Sequence, residues 1–140
     1  MSTRSTITVK MAGGTFRAIY CHWNGQLRFN GKMLLQHYNT QARAEEAVSL
    51  GDLSELAESM EWVDGHTAAH PIKGHSVAHR RDMGEVNRFA FDFPSYVAMD
   101  CDAEYNYLWD GAQWLYRVTR KETPWAPLTP EVVGLVPAAA

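Results

Sequence analysis

The first 41 residues contain no aspartate or glutamate, although they carry Arg4, Lys10, Arg17, Arg28 and Lys32. Cysteine is nearly absent from the whole chain: Cys21 and Cys101 are too few for a disulfide framework, which points to reduced thiols and a cytoplasmic setting. No apolar run approaches the ~18 residues that a membrane span needs. The opening MSTRSTITV lacks the apolar stretch of a signal peptide. There is no G-x-S-x-G elbow, no P-loop and no dinucleotide fingerprint, so the common signatures of hydrolase and nucleotide-cofactor folds are missing. Repeats and dividing linkers are absent too. The expectation is a single domain over residues 1–140, with 1–4 and 136–140 fraying.

What is present is an ordinary folded composition, 46% hydrophobic and 21% charged, with charge laid out in blocks. Residues 1–41 carry +5 and residues 42–65 carry −6, with seven acids against Arg43. Residues 66–91 return to +2, and residues 92–112 fall to −5. A net charge of −3 and a pI near 6.0 argue against a broad basic surface, so sequence-specific DNA binding is not expected. A local basic patch can still focus an anionic ligand.

Hydrophobic periodicity gives the elements. Residues 5–11 alternate, with Ile7, Val9 and Met11 on one face, and residues 15–23 read as the returning strand. A tight turn at Gly13-Gly14 would set Phe16, Ala18, Tyr20 and His22 on the Ile7/Val9 face. Residues 31–38 and 41–50 read as helices, the second capped by Thr40, and Asp52 to Glu55 resembles a capping box that opens a third. Residues 76–80 and 86–93 read as short strands, and residues 105–118 as a second hairpin around Asp110-Gly111. The predicted fold is α+β: an antiparallel sheet of N- and C-terminal hairpins with a few short helices packed on one face.

Three constellations carry chemistry. His66, His70, His75 and His79 have spacings seen in zinc sites, but Pro71 and Gly74 interrupt any helix. The segment therefore reads as a loop rather than a cage, and no metal or other cofactor is assigned. His79, with Asp82 or Glu85 to orient it, could act as a general acid or base. Third, Tyr20 to Gly25 closes a strand where side chains emerge. There His22 and Trp23 could join Arg28, Lys32, His79, Arg80 and Arg81 in one pocket, with Trp stacking a base and Arg or Lys neutralising phosphate. Against this, the aromatics could be core and the cations merely solubilising.

Six stretches resemble a family of small phage and prophage proteins of unknown function. They are STRSTITV (2–9), IYCHWNG (19–25), GKMLLQHYNT (31–40), LGDLSEL (50–56), HRRDMGE (79–85) and EYNYLWDGAQWLY (104–116). Asn24 and Gln36 stand where that family usually has Asp and Glu, so a role for an acid does not carry over at either position. The resemblance implies an accessory protein acting in the cytoplasm of an infected bacterium against a host process, often a defence. The expected partner is an anionic, nucleotide-like small molecule or a host defence protein, with no membrane and with homo-oligomerisation left open. Two alternatives stand beside ligand binding: a phosphodiester or nucleotide hydrolase using His79, and a protein inhibitor docking through an acidic helical face from Glu45 to Asp64.

Overall fold

Two hairpins lie side by side at the centre of one sheet. The first is β1 (Ser5–Lys10) with β2 (Phe16–Cys21); the second is β6 (Tyr105–Trp109) with β7 (Trp114–Val118). The structure, a computed structural model, describes residues 2–85, 90–97, 103–119 and 123–135. Short strands extend the sheet: β3 (Leu53–Glu55), β4 (Val77–Ala78), β5 (Phe91–Phe93) and β8 (Ala126–Pro127). The order is β4-β3-β2-β1-β6-β7-β8, with β5 also on β2, against Phe16 to Ala18.

The sheet is mixed, which corrects the antiparallel expectation. β1 runs parallel to β6, pairing Ser5 with Tyr105 through Val9 with Trp109, and β2 runs parallel to β3 at Cys21–Leu53. Each hairpin is antiparallel by itself, as its turn requires. The hairpins meet through their first strands, which run parallel, and the chain between holds the helices.

The register of the first hairpin also differs from the expectation. Ile7 pairs with Ile19, not Tyr20, and Val9 with Arg17. The connection is a five-residue loop, Met11 to Thr15, closed by the Met11 N–H donating to Thr15 O at 2.7 Å. The odd loop length shifts the pairing by one and exchanges the faces. Ile19 and Cys21 therefore join Ile7 and Val9 in the core, whereas Ala18 and Tyr20 share the face of Thr6 and Thr8.

Helices α1 (Lys32–His37) and α2 (Gln41–Ala47) cover the first face and bury Leu34, Ala44 and Ala47 against Ile7, Tyr107 and Trp109. The Thr40 hydroxyl accepts the Arg43 N–H, capping α2 as expected. Trp114 is fully buried, and its indole N–H donates to Tyr38 O at 2.9 Å.

The third helix does not form. The Asp52 carboxylate accepts the Tyr20 N–H at 2.9 Å instead of capping its own segment, and Leu53 enters the sheet. Tertiary pairing outweighs a short capping signal. The acids from Glu45 to Asp64 are consequently split between α2, β3 and loop, and no single acidic helical face exists. Val77–Ala78 is a strand as expected, but His79 already begins α3 (His79–Met83). The strand expected over 86–93 is present as β5, while residues 86–89, Cys101 and the 136–140 tail lie outside the described residues.

Candidate functional site at the end of β2

The chain beyond β2 is laid against β3 by backbone bonds. The His22 N–H donates to Leu53 O and the Trp23 N–H to Ser54 O, each at 3.0 Å. The His79 N–H donates to Asp52 O at 3.0 Å, which brings the start of α3 to the same corner. Three side chains meet there. The Tyr20 hydroxyl and His22 Nδ1 share a hydrogen bond of 2.6 Å, and the Tyr20 ring stands edge-on to His79 with centroids 6.5 Å apart. The His22 ring stands edge-on to Trp23 at 4.9 Å. Trp23 itself is 45% exposed. His79 is buried, with its Nδ1 4.0 Å from the Glu85 carboxylate. Gly84, at φ 73°, turns the chain so that the Glu85 N–H reaches His79 O.

The turn after Trp23 is tightly held. Asn24 takes a left-handed conformation, φ 62°, which Asn tolerates better than most residues. Gly25 lies so close to the N-terminal strand that a Cβ there would come within 2.8 Å of Thr3 O. A single π-helical turn, Leu27–Gly31, follows. Its buried Asn30 is the anchor: the side-chain amide donates to Trp23 O and Ser5 Oγ, both at 3.2 Å, and the backbone N–H donates to Asn24 O at 2.9 Å. Phe29, one residue before the anchor, is 55% exposed. The Arg28 side chain lies along Gly134 of the C-terminal turn. π-Turns are rare and are frequently kept at functional sites.

The cations fall into two groups. Arg17 pairs with Asp92, Arg43 with Glu46 and Arg81 with Asp82. Among the described residues, neither Arg28 nor Lys32 pairs with a carboxylate.

The arginines expected to complete the pocket from α3 behave differently. The Arg81 guanidinium turns inward: it donates to Met60 O at 2.6 Å, to Ser76 O at 3.0 Å and to both oxygens of Asp82. Asp82 is itself buried, accepts the Ala78 N–H and lies 3.6 Å from His66 Nε2. Burial alone would raise its carboxyl, but the hydrogen bonds from Arg81 and Ala78 and the Arg81 charge hold it below the usual range. Arg80 is exposed and, with Ser49, Leu50 and Arg81, lines a cleft of about 330 Å³.

The histidines of the 66–82 stretch separate. His66 is buried and accepts the Ile72 N–H on Nδ1 at 2.9 Å, while its Nε2 faces Ser76 O at 3.0 Å. His70 is exposed, and His75 bonds Glu61 O through Nδ1. Among the described residues, no three His, Cys, Asp or Glu side chains converge as a metal site.

His22, Trp23 and His79 are thus brought together around Tyr20. Arg28 and Lys32 sit on the adjoining turn and helix, and Arg80 and Arg81 line a separate cleft. Two members of the corner escape a reading of the sequence. Tyr20 changes face with the hairpin register, and Phe29 shows only as an apolar residue stranded in a polar turn beside Arg28. No known protein family, characterised protein or solved structure matches the chain. Among the described residues, no helix is long and apolar enough to cross a membrane.

Proposed function

We propose that the protein is a phage or prophage accessory protein that opposes a host process, in the host cytoplasm, by binding an anionic, nucleotide-like ligand beside Trp23. One observation carries this reading: an exposed indole, edge-on to a histidine, is followed by a turn and helix that bear two cations no described carboxylate neutralises. Trp23 supplies a stacking face, and Arg28 and Lys32 supply charge for phosphate. With Nδ1 engaged by Tyr20, His22 keeps Nε2 as its second hydrogen-bonding group. His79 backs Tyr20 from behind, and Arg80 offers charge from α3. Arg81 acts through structure, by holding the 60–76 loop to α3.

The test is titration of fluorescent nucleotides at low salt. Saturable binding that falls at least about tenfold in Trp23→Ala and in the Arg28→Ala/Lys32→Ala pair supports the reading. Binding indifferent to both variants overturns it.

The hydrolase reading keeps one specific support, the approach of the Glu85 carboxylate to His79 Nδ1 at 4.0 Å. Asp82 does not serve in it, being engaged with Arg81 and Ala78. Nucleotide turnover that disappears in a folded His79→Ala variant would favour catalysis over binding.

A further inference from the structure

We infer that the ligand is a single strand of nucleic acid, spread across Trp23 and Phe29 with its phosphates on Arg28 and Lys32; this rests on the reading above and names its ligand class. A mononucleotide has one base and can cover one ring. This surface offers two, at 45% and 55% exposure. Their backbones are tied within one turn: the buried Asn30 amide bonds Trp23 O, and the Phe29 N–H donates to Gln26 O at 3.0 Å. The Asn30 N–H to Asn24 O bond closes the same loop, and Tyr107 ties its floor by donating to Gly25 O at 2.6 Å. A turn whose backbone is already tied loses little backbone freedom on binding, which favours stacking.

Charge selects the occupant. Arg28 directly precedes Phe29 on the turn, its stem laid on Gly134, and Lys32 follows one turn on. Neither is in an ion pair among the described residues, and residues 1–41 contribute no carboxylate to repel a phosphate chain. Alternation of exposed aromatics with uncommitted cations is the pattern by which proteins hold single strands without regard to sequence, each base stacking and each phosphate meeting a cation. The negative charge elsewhere on the chain confines this to one short track, so the site takes a few nucleotides rather than a long strand.

The experiment is fluorescence anisotropy of an end-labelled twelve-nucleotide oligothymidylate against labelled thymidine monophosphate. The proteins are the wild type, Phe29→Ala, Trp23→Ala and Arg28→Ala/Lys32→Ala, each checked for folding by circular dichroism. Phe29 is exposed, so its truncation leaves the core intact. The expected result is oligonucleotide affinity at least about tenfold above that of the mononucleotide. Phe29→Ala then loses about 5- to 150-fold for the oligonucleotide alone, whereas Trp23→Ala weakens both. The salt slope for the oligonucleotide should be about −1.4 and vanish in the double variant, as two phosphate contacts require. Mononucleotide binding at Trp23 with no gain for the oligonucleotide, or no effect of Phe29→Ala, overturns the inference and leaves the parent reading standing. Failure of both ligands to bind overturns both. Binding to phosphatidylserine vesicles through Phe29, with none to the oligonucleotide, overturns the inference in favour of a membrane surface.

Discussion

The Tyr20 hydroxyl lies 2.6 Å from His22 Nδ1, and the same ring meets His79 edge-on, so one tyrosine joins two histidines that are 57 positions apart in the chain. Tyr20→Phe keeps the ring contact and removes the hydrogen bond. The expected loss of stability is about 1 kcal/mol, because His22 is partly accessible to water. The expected loss of ligand affinity is up to about tenfold, because the His22 ring is no longer oriented. Paired urea melts and binding titrations of the variant check this, and unchanged affinity would remove Tyr20 from the site.

Gly25→Ala should damage the site without touching an exposed side chain. The new methyl would come within 2.8 Å of Thr3 O and 2.9 Å of Arg4 C and O, all of them backbone atoms that cannot rotate away. A cost of about 1–3 kcal/mol is expected from overpacking, with displacement of the turn that carries Trp23 and weaker binding as a result. Thermal denaturation and titration together test it. A variant as stable as wild type would show that the turn has room that the structure denies.

Asp82 makes stability depend on acid. Its carboxyl is held below the usual range in the folded protein, so its contribution is fully present above the unfolded value of about 3.9 and is lost as pH falls through the lower folded value. Asp82→Asn should therefore flatten the fall of stability below about pH 4. At neutral pH it should cost about 2–3 kcal/mol, since Arg81, being partly exposed, is less stranded than a fully buried charge would be. Urea midpoints measured across pH for the two proteins decide the matter, and parallel curves would contradict the role given to this carboxylate.

Cys21 should be inert while the protein is folded. It is fully buried, and burial pushes its thiol up to about 12, against the smaller opposing effect of the Asn30 amide. In a Cys101→Ser background, a thiol reagent at pH 8 should label the chain only at the rate of unfolding. Fast labelling of the native protein would mean that the corner opens locally beside Asn30.

The sequence made the hairpins, α1, α2 and the Thr40 cap legible, because each announces itself within about a dozen residues. Alternation marks the strands, Asp110-Gly111 marks the second turn, and Thr40 stands one residue before the helix that carries the Ala44/Ala47 stripe. What it concealed were relations between distant segments. The parallel joining of β1 to β6 spans about a hundred residues and leaves no local pattern. The five-residue loop between β1 and β2 looked like a two-residue turn, and that single residue of register moved Tyr20 from the core face to the corner. Asp52 looked like a helix cap because its partner, the Tyr20 N–H, lies 32 residues earlier. The charge blocks pointed to the basic N-terminal region, but which cations were already neutralised depended on pairs such as Arg17–Asp92 and Arg81–Asp82, visible only in the fold.

Trp23 and the cations of the following turn and helix carry the proposed site, and a two-dimensional ¹H–¹⁵N spectrum recorded during a nucleotide titration examines them directly. The Trp23 indole and the Arg28 and Phe29 amides should shift and saturate together at one affinity, while the buried Trp109 and Trp114 indoles stay in place. A titration that leaves Trp23 and Arg28 unmoved, or that shifts only resonances remote from the end of β2, would contradict the account.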